Sequence, residues 1–236
     1  MKVLIGLPII FWRHDFVLGW MDFHRELYSQ QDIEIKVDIH YRKPVHIAQQ
    51  KMAERALGEG YDYLLMIDDD IYNPSLEGLK KLIEADKDVI GGAQFASGFP
   101  YQLCALKRFD TSKTMMEVRR SKDPRKMYEV TEREGVQPTD LLTLGFTLIK
   151  VDFLRRMDRP HFDCNIEYET DFYFCNKCIE MGVTPYVHFD VSLNHRGIFR
   201  ETKSDAIRND MLNGTIGKFK EEADRRDGHV LDNVFV

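Results

Sequence analysis

Three consecutive aspartates, Asp68, Asp69 and Asp70, end the apolar run YDYLLMI, and nowhere else does the chain place three acids in a row. Two unit charges 4 Å apart repel by roughly 4 kcal/mol at an effective dielectric near 20. A protein that gathers carboxylates this closely usually has a cation to offset them. Oxygen ligands with an open coordination sphere suit Mg²⁺ or Mn²⁺ bridging a diphosphate. The bland alternative is a solvated acidic loop ahead of a helix, where the helix dipole also favours acids. On the triplet alone, both readings stand.

Other chemistry-bearing residues are less organised. Cys175 and Cys178 form a CxxC, but no second CxxC or paired histidine accompanies it. The surrounding DFYFCNKCIEMG reads as an amphipathic helix with two small buried residues. With Cys104 and Cys164 the four cysteines make no disulfide scaffold in a chain of 236 residues. His14, His24, His40, His46, His161, His188 and His229 have no mutual metal-ligand spacing.

The elements that must position the triplet alternate in type. Val3 to Leu7 is an apolar run closed by Pro8, as a buried strand would be. Residues 16–28 carry helical spacing, and DIEIKVDIHY alternates like a strand. Val45, Ala48, Met52 and Ala56 share a helical face, punctuated by Gly58 and Gly60. The strand YDYLLMI then runs into the aspartates. Asn73-Pro74 predicts an N-cap and first helical position for the stripe Leu76, Leu79, Leu82 and Ile83. DVIGG gives a fourth strand. Beyond it, CALKRF, MEVRR and KMYEV predict short strand-like pieces of a small antiparallel excursion. LLTLGFTLIKV is a strand broken at Gly145, followed by the short helix DFLRRM. A helix at about 169–181 and the strand PYVHFDVSL lead to the loop Asn194 to Gly197.

This order predicts an α/β fold with a mainly parallel sheet and helices on both faces. Ligands of such sheets bind beyond the carboxyl ends of the strands. Pro8 and the aspartates both lie at such ends, so they should converge on one crevice. The polar, helix-prone final residues predict a peripheral C-terminal arm.

Composition excludes little. With 43% hydrophobic and 31% charged residues the chain can bury an ordinary core, and its net charge of −6 argues against coating nucleic acid. MKVLIGLPIIFW has no small-residue cleavage site and no apolar span long enough for a membrane helix, so a cytoplasmic location is expected.

YDYLLMIDDDIYNP resembles the strand-plus-DxD segment of GT-A glycosyltransferases. VIGGAQFASGFPY (89–101), LGFTLIKV (144–151), TDFYFC (170–175) and VHFDVSLNHRG (187–197) resemble successive landmarks of that family in the same order. The likeness is to its short, soluble, family-2-like bacterial and phage members, over roughly residues 1–197. It implies a GT-A domain at 1–197, with a nucleotide-sugar-binding half (1–103) and an acceptor and catalytic half (104–197), then a C-terminal helical extension (198–236). It implies a nucleoside-diphosphate sugar as donor and a divalent metal, Mn²⁺ or Mg²⁺, as cofactor.

Residue by residue, the resemblance places Asp68 or Asp69 on the ribose and Asp68 and Asp70 on the metal. Pro8 and Ile9 would line the nucleotide pocket, and Gly145-Phe146 would pass close to the donor sugar. Asp171 falls where the family keeps the general base, His195 where a late histidine completes the metal site. The dipole of its helix should keep Asp171 ionised. The chain departs from the family at Gln49-Gln50, where Arg-Asn is frequent, at Thr170-Asp171, where Glu-Asp is usual, and at Pro8-Ile9, where a small hydroxyl residue is common. Tyr101 could shape an acceptor site or simply be a buried aromatic.

The activity implied is transfer of a sugar to an acceptor hydroxyl, with inversion if Asp171 is the base. Nucleotidyl transfer would call for a basic, glycine-rich phosphate loop after the first strand, and LPIIFWRH is not one. A nucleotide-sugar or carbohydrate-binding protein without catalysis is the third reading. The sequence does not distinguish a saccharide, protein, lipid-linked sugar or modified nucleobase as acceptor.

Overall fold

The computed structural model describes residues 1–30, 32–95, 102–121, 127–165, 168–196 and 201–203. The chain begins β1 (Lys2–Ile9), α1 (His14–Tyr28), β2 (Glu34–Tyr41), α2 (Val45–Gly58), β3 (Tyr63–Ile67), α3 (Leu76–Glu84) and β4 (Val89–Ala93). An excursion follows through β5 (Ala105–Arg108), α4 (Met115–Arg120), β6 (Met127–Glu129), β7 (Val136–Pro138) and β8 (Leu141–Leu142). The chain then returns through β9 (Phe146–Lys150), α5 (Val151–Arg156), α6 (Thr170–Glu180), β10 (Tyr186–Ser192), β11 (Asn194–Arg196) and β12 (Glu201–Lys203).

A 7-stranded sheet runs in the order β2-β1-β3-β9-β4-β10-β7. β9 is antiparallel to both its neighbours and β7 is antiparallel to β10, while the other five strands share one direction. The sheet is mainly parallel, as expected. β9 is reversed because the chain leaves β4 at its carboxyl end, builds the small antiparallel sheet β6-β5-β8 there, and re-enters from that end through Gly145.

Period-two alternation splits the core between the two faces. Val3, Ile5, Leu7 and Ile9 of β1 pack with Phe16, Phe23 and Leu27 of α1 and with Leu79 and Leu82 of α3. On the other face Leu4, Leu64 and Met66 meet Ala48, Met52 and Ala56 of α2, Phe153 of α5 and Phe174 of α6. The small face of α2 and Gly6 let helix and sheet approach closely. A Cβ at Gly6 would lie 2.7 Å from the Met52 sulfur.

Three local expectations are corrected. MEVRR is helical, because Thr114 and Glu117 close a reciprocal capping box around its first turn. Ser75, rather than Asn73, caps α3, accepting from the Gly78 N–H at 3.0 Å. Of the C-terminal segment, residues 201–203 form a strand paired with β11 rather than a helix. Residues 204–236, with the expected arm, and Tyr101 lie outside the described residues, as does Gly197.

Candidate functional site

Asp68 follows β3 directly, and its N–H donates to the Gly145 carbonyl at 3.0 Å across the entry to β9. The next residues are zipped against the segment after β10. Ile71 bridges His195, and the Tyr72 N–H donates to Asn194 O at 3.3 Å. The Asn73 amide donates to Ser192 O at 3.2 Å and its oxygen accepts from the Asn194 N–H. Asn73 thereby fixes the register that sets His195 beside Asp70. His195 Nε2 lies 3.1 Å from Asp70 Oδ2.

The three aspartates divide. Asp69 is buried, and its Oδ2 accepts the N–H groups of Ile10 (2.7 Å) and Phe11 (2.8 Å). It fixes the loop after β1, so this oxygen is committed to the protein. Asp68 is instead surrounded by like charge. Burial, then Asp70, Asp171 and Asp69 in turn, push its carboxyl well above the ordinary carboxylate range. Burial and repulsion of this kind disfavour the ionised form.

Asp171 sits in the first turn of α6. Burial raises its pKa to about 7, with Glu169 and Asp70 adding repulsion, against a lowering hydrogen bond from the Leu144 backbone. The expectation that the helix dipole keeps it ionised is therefore corrected: dipole effects are worth about 0.3–1 kcal/mol at exposed sites, and desolvation outweighs that.

Three buried polar side-chain atoms near these carboxylates have no hydrogen-bond partner among the described residues: Gln49 Nε2, Gln94 Oε1 and His195 Nδ1. Buried polar groups are satisfied in the large majority of cases, so each orphan calls for an explanation, and a bound ligand is one. Gln49 Oε1 accepts from the Thr170 hydroxyl at 2.8 Å. Two of the departures from the family pattern are thus each other's partners, a neutral pair joining α2 to the start of α6. Gln50 is occupied elsewhere, accepting from the His161 and Phe162 amides.

Gln94 lies within VIGGAQFASGFPY, but sequence reasoning assigns it no role. Its signal is a lone polar residue at the carboxyl end of the apolar strand VIGGA, and its amide lies so close to Gly145 that a Cβ there would sit 2.8 Å from Oε1. Of the remaining expected residues, Ile9 and Phe146 are fully buried on the α1 face, where Phe146 packs 6.4 Å from Phe23. Their side chains serve the core, and only their backbone is left to meet a ligand. Pro8 is buried at the end of β1 beside His40. Past it, Phe11 and Trp12 are exposed, at 60% and 48%.

The residues fit a divalent cation by chemistry. Asp70 and His195 are adjacent, Asp68 lies two residues before Asp70, and an ion shared by Asp70 and His195 would take the place of the proton between Nε2 and Oδ2. Among the described residues no group of three or more His, Cys, Asp or Glu side chains is placed to hold a metal ion. The CxxC takes no part: Cys175 and Cys178 are buried on α6, and burial pushes the Cys175 thiol up to about 12.

No protein-family model matches the chain, and no curated protein matches it in sequence. Solved structures do match. A197 from STIV shares 19% identity at a TM-score of 0.57, over 87% of this chain and 91% of that one. A CMP:2-keto-3-deoxy-manno-octonic acid synthetase complexed with CTP matches at 12% identity and TM-score 0.43, over 94% and 100%. A nucleoside-diphosphate-sugar pyrophosphorylase from Vibrio cholerae RC9 matches at 10% and 0.35, over 79% and 91%. The likeness to A197 shows the fold: a mixed α/β domain with a mainly parallel sheet. Among the described residues no helix is long and apolar enough to cross a membrane.

Proposed function

We propose that the protein is a GT-A glycosyltransferase that moves a sugar from a nucleoside diphosphate to an acceptor hydroxyl with inversion. The observation that carries this reading is the convergence of Asp70 and His195, 3.1 Å apart, with Asp68 and Asp171, whose pKa values rise partly through the nearby Asp70 charge. Residues 1–197 would form the catalytic domain, donor half first (1–103), acceptor half second (104–197).

Asp171 is suited to general-base work. A base is most effective when its pKa lies near the operating pH, and its own is raised to about 7. The Leu144 backbone favours the ionised form of this carboxylate. Asp171 takes the proton of the acceptor hydroxyl as the oxygen attacks the anomeric carbon from the face opposite the diphosphate. The bond from that carbon to the phosphate oxygen breaks, and nucleoside diphosphate leaves with the electron pair. Asp70 and His195, joined by Asp68, are the residues that would hold a divalent ion, whose contribution when bound is to neutralise charge on the departing diphosphate.

The other groups position the donor. Asp69 fixes the loop that presents the exposed rings of Phe11 and Trp12, which suit stacking on a nucleobase. Gly145 lets the chain pass close to the sugar, and the orphaned Gln94 Oε1 can accept from a sugar hydroxyl.

The test is release of nucleoside diphosphate from a panel of nucleotide sugars with Mn²⁺ and a mixture of hydroxyl acceptors. Release that disappears in Asp171→Asn while donor binding remains is the expected result. Donor binding with no release from any nucleotide sugar would make the protein a binder, and release of pyrophosphate would make it a nucleotidyltransferase.

A further inference from the structure

β2 is an outer strand of the sheet, and among the described residues no strand pairs with its far side. Its pairing to β1 is unbroken from Glu34 to Tyr41, with no bulge and no proline. The Glu34 N–H donates to Met1 O and the Arg42 N–H to Ile9 O. In a parallel ladder the even-numbered residues therefore face β1, and the backbone groups of Ile35, Val37, Ile39 and Tyr41 point outward. A long, regular edge of this kind is a template for another strand. A groove of about 460 Å³ lined by Leu27, Tyr28, Ile35 and Val37 runs beside it, and Ile39 and Tyr41 are each 46% exposed.

We propose that β2 pairs antiparallel with β2 of a second copy of this chain, about a twofold axis at Val37. Outward backbone groups must oppose outward backbone groups, so the axis can fall only on a residue, and four registers, centred on residues 36, 37, 38 and 39, keep most of the strand paired. An axis at Lys36 sets Lys36 against itself and Glu34 against Asp38. An axis at Asp38 sets that carboxylate against its own copy. An axis at Ile39 sets no like charges opposite but pairs only Val37 to Tyr41, whereas the axis at Val37 pairs Glu34 to His40 and also avoids every like-charge pair. It puts Lys36 opposite Asp38 and Glu34 opposite His40 on the α2 face, and Ile35 opposite Ile39 on the α1 face, with Val37 against itself. Cross-strand pairs of opposite charge and of β-branched residues are the stabilising kinds, and like charges directly opposite destabilise. Lys36 of the second copy would join Arg55, which already lies 3.1 Å from Asp38. Ile39 would be covered, and one sheet would run through both copies.

Light scattering of the full chain over a dilution series, with residue-resolved amide exchange, tests this. A dimer is expected in which the Ile35, Val37 and Ile39 amides exchange more slowly at high concentration. Ile39→Pro removes an outward N–H without touching the ladder to β1, and Lys36→Asp sets acid against Asp38. Each should weaken dimerisation by about tenfold or more, equivalent to about 1.4 kcal/mol. A protein monomeric at every concentration, or a dimer indifferent to both substitutions, overturns the proposal. Protection of those amides that does not depend on concentration also overturns it, and would point instead to a strand from residues 204–236 of the same chain.

Discussion

Replacing Asp171 by Asn should abolish turnover and, above neutral pH, make the protein more stable. Asn keeps the shape and can still accept the Leu144 N–H, but carries no charge. Burial, reinforced by Glu169 and Asp70, moves the Asp171 carboxyl from its ordinary 3.8 to about 7. At about 1.4 kcal/mol per tenfold change in proton affinity, keeping it ionised costs the folded state up to roughly 4 kcal/mol. Asp171 keeps some contact with solvent, so this is a ceiling.

The sign follows from proton counts. Between pH 3.8 and about 7 the folded protein holds a proton on Asp171 that the unfolded chain has lost. The contribution of Asp171 to stability therefore falls as pH rises through that window and is constant above it. The advantage of Asn should be absent below pH 3.8, grow through the window, and level off above about 7. For a chain of 236 residues each kcal/mol raises the melting temperature by about 2–4 °C. The assay is thermal melting of both proteins from pH 4 to pH 8 with a chelator present. A difference that does not change with pH would refute the buried, proton-holding carboxyl. Unchanged turnover would refute its role as base.

Three further outcomes are expected. Mn²⁺ with a nucleoside diphosphate should raise the melting temperature of the native protein, since a ligand of the folded state stabilises it, and in Asp70→Ala and His195→Ala that rise should vanish. Asp69→Ala frees the Ile10 and Phe11 amides and should cost about 1.5–3 kcal/mol in urea unfolding, as hydrogen bonds to a charged group do, with donor binding weakened as the loop loosens. Gly19→Ala would set a Cβ 1.9 Å from the Tyr72 carbonyl oxygen, whereas at Gly145 the nearest atom, 2.8 Å away, ends a flexible side chain; urea unfolding should show Gly19→Ala as clearly the more destabilising of the two.

The order of elements is legible in the sequence because periodicity survives wherever one face is buried. α2 can be read from Ala48, Met52 and Ala56, all buried as that spacing requires. MEVRR misleads because five residues fit period two as well as a helical turn, although the Thr114-x-x-Glu117 cap is present in the sequence. Strand alternation, carried one step further, puts Ile9 on the α1 face with Leu7 and Ile5, away from the crevice. The reversal of β9 and the neighbourhood of Gln94 arise from pairings across distant parts of the chain, and local pattern does not encode them.

The aspartate triplet shows how physical partners sort residues that composition treats alike. Asp69 has two backbone donors within 2.8 Å, so its charge is satisfied by the fold and its loss should be felt first in stability. Asp68 meets burial and three other carboxylates, so its charge is satisfied only when something cationic arrives. Folding has therefore placed the strain of like charge on one side of the segment and its relief on the other. A ligand that brings a cation to Asp68 and Asp171 should release protons as it binds, because groups held above their ordinary pKa then ionise. Calorimetry of Mn²⁺ and nucleoside diphosphate binding near pH 6 in buffers of different ionisation enthalpy should show that release, reduced in Asp171→Asn. Equal heats in every buffer would mean that no carboxyl in the crevice changes its charge on binding, and the metal-centred reading would fall with that result.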